Sequence, residues 1–257
     1  MPHESGQVLL VGAGPGPVDL MTVRAMRAVQ EAEAILYDAL VHDEVLALAP
    51  RGCIRIQTGK RAGLASMKQD TINRLMLRLA RRGLKVVRLK GGDPSVFGRS
   101  GEEQAFLQVH GVATAVVAGV TAASAAAAQF NFPLTHRGES RRLIIATARV
   151  KDGAVIEDGW SSAADPGATL ALYMAREACA AVTRRLMEQG RSGRTPALAV
   201  ENAGADHARL IRADLQTLPA RLAGAACGGP VLLVIGEVAA MARECEVSNG
   251  TGLLRAV

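Results

Sequence analysis

The residue types best suited to chemistry are concentrated in one stretch, Arg88-Leu-Lys-Gly-Gly-Asp-Pro-Ser-Val-Phe-Gly-Arg-Ser-Gly-Glu-Glu103, where two glycines, a carboxylate and a charged tail follow an apolar run. Gly91 and Gly92 let the backbone turn with positive φ and approach a small molecule closely, and Pro94 stiffens the exit while removing one donor. Asp93 is then placed to accept hydrogen bonds. A plain strand-to-helix turn with Asp as its cap would use the same four letters. The residues that follow favour a ligand instead: Glu102 and Glu103 suit the positive end of the next helix, whereas the cationic Arg99 does not and needs another reason to be there. Gly12, Gly14 and Gly16 form a second cluster after the first apolar run, with Asp38 at the distance where a dinucleotide-binding fold keeps its ribose carboxylate. That fingerprint requires glycine at position 17, where the chain has Pro17 followed by Val18-Asp19. Hydride transfer would also leave Gly91 to Arg99 without a task.

The elements that must position these residues alternate. Apolar runs at 8–11, 34–37, 54–57, 86–89 and 115–117 are each followed by amphipathic stretches, at 20–30, 43–48, 69–81, 101–110 and 121–129. This βα repeat predicts a parallel sheet with its ligand beyond the carboxyl ends of the strands. Gly12 to Gly16, Asp38, Gly91 to Asp93 and Thr121 all fall at such ends. A basic, poorly periodic stretch at 131–142 reads as an interdomain connection. Beyond it, strands at 143–147, 169–173, 196–200, 210–213 and 231–235 are joined by fewer helices, the clearest at 179–189. The short polar loop at 201–208 predicts a hairpin and hence a mixed sheet. Residues 152–165 read as a partly irregular surface segment. The expected organisation is therefore two α/β domains, 1–136 with a parallel sheet and 137–245 with a mixed one, and a flexible tail at 246–257.

Composition narrows the possibilities. The 257 residues are 49% apolar but only 3% aromatic, so Ala, Val and Leu must fill the core. No apolar run reaches the roughly 18 residues that a membrane span needs, and no secretory signal opens the chain. A cytoplasmic protein is expected, without membrane partners. Cys53, Cys179, Cys227 and Cys245 form no CxxC pair, which argues against a zinc site or a disulfide framework, and no metal is expected. The net charge of +6 invites a nucleic-acid reading. Arg74, Arg78, Arg81 and Arg82, however, read as a solvated helix face, and no basic run interleaves with aromatics, so nucleic acid is not an expected partner. A strongly anionic small substrate would be served as well by a few cations converging on one cleft.

The motif GGDPxxFGRxxEE, with Val11-Gly-Ala-Gly-Pro-Gly16, Tyr37-Asp38, Gly59-Lys-Arg-Ala-Gly63, Gln69, Ile72-Asn73, Val120-Thr-Ala122, Pro133-Leu-Thr-His-Arg137, Tyr173-Met174 and Glu201-Asn202 in this order, resembles the uroporphyrinogen-III C-methyltransferases. These are a tetrapyrrole branch of the S-adenosylmethionine-dependent methyltransferases. The resemblance runs nearly end to end. It implies two α/β domains with S-adenosylmethionine bound in the cleft between them, a homodimer, and two successive methylations of uroporphyrinogen III, at C2 and C7, giving precorrin-2 and two S-adenosylhomocysteines.

By the same resemblance, donor contacts fall on Pro15, Gly91, Gly92, Asp93, Val96, Thr121, Ala122, Met174 and Ala203. Pattern alone would place Met174 and Val96 in the core and make Thr121 a helix cap. A substrate with eight carboxylates calls for arginines, and Arg99, Arg137, Lys60 and Arg61 are the candidates. Arg137 also reads as an ordinary linker charge. The resemblance makes Asp38 the proton acceptor and Lys60 the proton donor, with a helix cap and a surface charge as the competing readings. Glu102 either orients Arg99 or meets a pyrrole N–H. Ala39, Ser95, Ala118 and Met67-Lys68 depart from the family pattern around the cleft, which bears on substrate fit more than on donor binding. Three alternatives stay open: a methyltransferase of a later corrin-pathway intermediate, an RNA methyltransferase of the same fold, and a donor-binding module without activity.

Overall fold

The computed structural model describes residues 6–59, 67–148, 150–151, 154–155 and 162–243. Packing divides the chain into two compact units, one through Thr121 and a second from Ala122 onward. The boundary expected at 136/137 thus falls inside the second unit, just after its first helix.

In the first unit, β1 (Val8–Gly12), β2 (Ala34–Tyr37), β3 (Ile54–Gln57), β4 (Val86–Lys90) and β5 (Thr114–Val117) form a parallel sheet in the order β3-β2-β4-β1-β5. Alternation along each strand feeds two cores, as a sheet covered on both faces requires. Val11, Ile35, Val87 and Leu89 pack against α1 (Val23–Gln30) and α2 (Asp43–Ala47) on one face. Val8, Leu10, Leu36 and Val86 pack against α3 (Gln69–Ala80) and α4 (Ser100–Val109) on the other. Thr22 starts α1, its hydroxyl accepting from the Ala25 amide and donating to the Ala118 carbonyl, which ties the helix to the end of β5.

The second unit opens with α5 (Ala122–Gln129), whose Ala123 and Ala126 are buried with Phe130, Ala171, Leu198 and Val234. Its sheet comprises β6 (Arg142–Thr147), β9 (Ala168–Tyr173), β10 (Pro196–Glu201), β11 (Arg209–Asp214) and β12 (Val231–Ile235), while β7 (Val150–Lys151) and β8 (Ala154–Val155) pair separately. The order β11-β10-β12-β9-β6 is mixed: only β6 and β9 run parallel, and β10 and β11 form the expected hairpin. The opposite face carries α6 (Cys179–Glu188) and α7 (Leu218–Gly224) over Leu170, Leu172 and Leu233. Helix α7 is too short for periodicity to reveal, and Pro219 in its first turn is its one sequence mark.

Candidate functional site

At the carboxyl end of the parallel sheet, three chain segments meet backbone to backbone. The Ala13 amide donates to the Lys90 carbonyl at 2.8 Å, the Gly92 amide to the Gly14 carbonyl at 2.7 Å, and the Gly14 amide to the Gly92 carbonyl at 3.2 Å. Gly14 and Gly92 both have positive φ, +74° and +70°. A Cβ on Gly12 would sit 2.6 Å from the Gly119 Cα, and one on Gly119 only 2.2 Å from the Gly92 carbonyl oxygen, so side chains are excluded there by neighbouring backbone. Gly92 differs. A Cβ built on it would meet nothing nearer than 4.0 Å, where Thr121 Cα and the Val120 carbonyl lie, so its face of the turn is open.

Two carboxylates lock this turn. Asp93 accepts from the Gly119 amide at 2.9 Å through Oδ2, and from the Ser95 amide at 2.7 Å and the Ser95 hydroxyl through Oδ1. Partial burial pushes the Asp93 carboxyl up, but the bonds from the Ser95 hydroxyl, the Gly119 amide and the Ser95 amide outweigh it and hold the group below its ordinary value. Ser95, a departure from the family pattern, is thus part of the lock. Asp38, at the end of β2, accepts from the Leu40 amide at 3.0 Å through Oδ1 and from the Gly91 amide at 3.1 Å through Oδ2.

The Phe97-Gly98-Arg99 turn follows. Phe97 and Arg99 adopt φ of +54° and +55°, and a Cβ on Gly98 would lie 2.5 Å from the Pro94 carbonyl oxygen. Arg99 closes a bidentate pair on Glu102, Nε to Oε1 at 2.9 Å and Nη2 to Oε2 at 2.7 Å, with both side chains more than half exposed. Beneath it lies a group that sequence reasoning placed only at a helix start: Glu103 is fully buried and accepts from Arg88 Nε at 3.1 Å, Lys90 Nζ at 2.9 Å and Gln69 Nε2 at 2.9 Å. The available signal was Arg88 and Lys90, two residues apart in an apolar strand and therefore on the same face as Val86.

Among the sequence candidates, the first unit gathers Asp38, Gly91, Gly92, Asp93 and Thr121 around one turn. Pro15, next to Gly14, is half-buried, and the Val96 amide donates to the Asp93 carbonyl at 3.1 Å. In the second unit, Met174 is 67% exposed at φ +53°, the reverse of the core placement that its pattern suggested. The Tyr173 hydroxyl accepts from the Ala123 amide, next to Ala122, at 2.9 Å. Ala203 is buried in the core, and the loop around it is tied to α5 by Gln129, which accepts from the Gly204 amide and donates to the Ala205 carbonyl, both at 2.9 Å. Arg137 is exposed on a turn closed by paired His136 and Ser140 backbone bonds, beside an open concavity of about 500 Å³ lined by Thr135, His136, Arg137, Ser140 and Arg141. Lys60 and Arg61 lie outside the described residues.

Of the six non-glycine residues with positive φ among the described residues, Phe97, Arg99, Met174 and Asn202 fall in the motif segments. Left-handed backbone at bulky side chains is uncommon and collects where function over-determines geometry. Fold and site together define an α/β protein that offers a small ligand a backbone-lined turn at the strand ends of a parallel sheet. Residues 7–219 match the family model described as tetrapyrrole (corrin/porphyrin) methylases, and the chain belongs to that family. It is 43% identical over 242 residues to a uroporphyrinogen-III C-methyltransferase of Paracoccus denitrificans, covering 94% of this chain and 84% of that protein. A siroheme synthase of Azotobacter vinelandii is 42% identical over 92% of this chain, which spans about half of that protein, 51%. Among solved structures, the uroporphyrin-III C-methyl transferase of Thermus thermophilus complexed with S-adenyl homocysteine superposes with a TM-score of 0.76 at 39% identity, covering 91% of this chain and 93% of that one.

Proposed function

We propose that this protein is an S-adenosylmethionine-dependent uroporphyrinogen-III C-methyltransferase, which methylates the macrocycle at C2 and C7 to give precorrin-2 and two S-adenosylhomocysteines. The observation that carries the reading is the reciprocal Gly14–Gly92 turn, open on its Gly92 face and continuous in sequence with the exposed Arg99–Glu102 pair. The turn fits the donor: its Cβ-free face allows close backbone approach, and Asp93 holds it in shape from below. Met174, Thr121 and Ala122 complete the donor contacts, with Pro15, Gly91, Val96 and Ala203 shaping the loops around them. The donor supplies an electrophilic methyl group carried on a sulfonium.

The protein's own work is alignment. Attack by a ring carbon is a displacement that needs no protein nucleophile, so acceleration comes from holding two reactants in line. Arg99 and Arg137 offer guanidinium groups to the carboxylates of the macrocycle, where bidentate geometry fixes orientation. Asp38 takes the proton that the methylated ring must lose, Lys60 is assigned as the proton donor of the pair, and Glu102 orients Arg99. The protein acts as a cytoplasmic homodimer on this small substrate, without nucleic acid or membrane partners. Incubation with enzymatically made uroporphyrinogen III and methyl-labelled donor under anaerobic conditions should yield a doubly labelled product. Absence of label in a protein that still binds S-adenosylhomocysteine would overturn the substrate assignment, and light scattering tests the dimer.

A further inference from the structure

The buried Arg88–Lys90–Glu103 cluster lies outside the machinery described above, and it is an expensive thing to bury. Arg88 and Lys90 are 5% and 4% exposed and Glu103 is 0% exposed. One carboxylate therefore faces two cations, and burying ionised groups costs several kcal/mol per ion unless geometry and hydrogen bonds compensate. Glu103 uses both oxygens to do so, and Arg88 Nη1 adds bonds to the Leu89 carbonyl at 3.2 Å and the Leu36 carbonyl at 3.4 Å. Burial and the neighbouring Arg88 hold the Lys90 ammonium below its ordinary range, while Glu103 pulls the other way.

The placement of the cluster suggests what the arrangement does. Lys90 is the last residue of β4, immediately before the Gly91–Asp93 turn, and Glu103 sits in the first turn of α4, one residue after Glu102. The Phe97-Gly98-Arg99 turn lies between them, after the Gly91–Asp93 turn, and the stem of Lys90 supports it: its Cε lies 3.1 Å from where a Gly98 Cβ would be. The Gly91–Asp93 turn has three anchors of its own, from Asp38, Gly14 and Gly119, none of which uses the cluster. The Arg99–Glu102 pair stands at the start of α4, and Glu103 ties that start to β4 through Arg88 and Lys90.

We infer that Glu103 is a positioning residue: through Lys90 and Arg88 it fixes the Arg99–Glu102 pair over the end of β4, and so acts on handling of the anionic macrocycle while leaving donor binding alone. The inference rests on the proposed activity for its kinetic arm only. In Glu103→Gln, S-adenosylhomocysteine affinity should stay within about twofold of the parent by calorimetry, KM for uroporphyrinogen III should rise tenfold or more, and trypsin should cleave after Arg99 at least fivefold faster. The Arg99→Ala/Glu103→Gln double variant should be no worse than Arg99→Ala, since residues acting as one unit are not additive. Additive losses, an equal loss of donor affinity, or unchanged cleavage at Arg99 would each overturn the assignment. If Glu103→Gln does not fold, Lys90→Met, which leaves Arg88 and Glu103 balanced, carries the same measurements. Cleavage and donor affinity need no substrate, so a parent protein inactive on uroporphyrinogen III would sink the proposed function without deciding this one.

Discussion

The Gly91 amide donates to Asp38 Oδ2 at 3.1 Å, so the carboxylate proposed as the proton acceptor also holds the first residue of the Gly91–Asp93 turn. Its other oxygen is committed to the Leu40 amide. Asp38→Ala removes both acceptors and a hydrogen bond to a charged group is worth about 1.5–3 kcal/mol, so S-adenosylhomocysteine affinity should fall about tenfold along with turnover. Asp38→Asn keeps one acceptor oxygen and should recover part of the affinity but none of the base function. Calorimetry and turnover on the same preparations separate the two roles; an Asp38→Ala protein with parental donor affinity would show that the tie to Gly91 is dispensable.

The glycines of the turn should respond to alanine in opposite ways. At Gly92 the added methyl has room and meets only the penalty of positive φ, about 1–2 kcal/mol, so stability should drop modestly while S-adenosylhomocysteine affinity drops by a hundredfold or more, because the methyl occupies the open face. At Gly119 the methyl would press on the Gly92 carbonyl oxygen and the Gly12 Cα, neither of which can yield without moving a strand end. Gly119→Ala should therefore lower the thermal midpoint far more than Gly92→Ala. Comparable melting for the two variants would refute the distinction.

Arg99 should matter to the substrate and hardly at all to the fold. An exposed ion pair contributes little to stability because solvent screens it and both side chains lose rotamer freedom, and this pair is more than half exposed on both sides. Arg99→Ala should melt within about 1 °C of the parent and raise KM for uroporphyrinogen III tenfold or more. Arg99→Lys should recover less than half of that loss, since a single ammonium cannot reproduce the bidentate fork. A melting shift of several degrees would instead make Arg99 a structural residue.

Most of the architecture could be read from the chain because its signals are local. The strand at 8–12 alternates its side chains between two cores, and the short loop after Glu201 announces the β10–β11 hairpin. Gly92 was legible for a similar reason, since its φ of +70° favours glycine; Gly91 does not take the positive φ expected of it and is instead a glycine where a Cβ would lie 2.8 Å from the Leu40 Cβ. Three features were not. Met174 carries an apolar side chain inside an apolar strand-end pattern, and nothing short of the fold reveals that its backbone turns left-handed and presents it to solvent. Glu103 looks like any acid in a first helical turn, because its partners Arg88 and Lys90 reach it only once β4 and α4 are packed. Helix α5 starts one residue after the Val120-Thr121 turn of the first unit, yet its alanines are buried with strands some 45 residues and more downstream, a long-range contact with no local mark.

Acid should loosen the Gly91–Asp93 turn through Asp93. Its folded carboxyl lies below the ordinary value of 3.8 because the Ser95 and Gly119 bonds to the ionised form outweigh the opposing effect of burial. A depressed carboxyl pKa contributes stability that is fully present above the unfolded value and is lost as pH falls through the folded one. The Asp93 contribution should therefore be constant from neutrality down to about pH 5 and fade below 3.8, with S-adenosylhomocysteine affinity declining in the same window. Glu201 adds to the same acid limb: the Gly229 amide, and then Arg209, hold its carboxyl below 4.5 against burial. Asp93→Asn isolates the first group. The thermal midpoint of the parent should exceed that of the variant at pH 6, and the gap should close as both are titrated below pH 3.8; a gap that stays constant with pH would mean that the Asp93 bonds favour the neutral carboxyl as much as the ionised one.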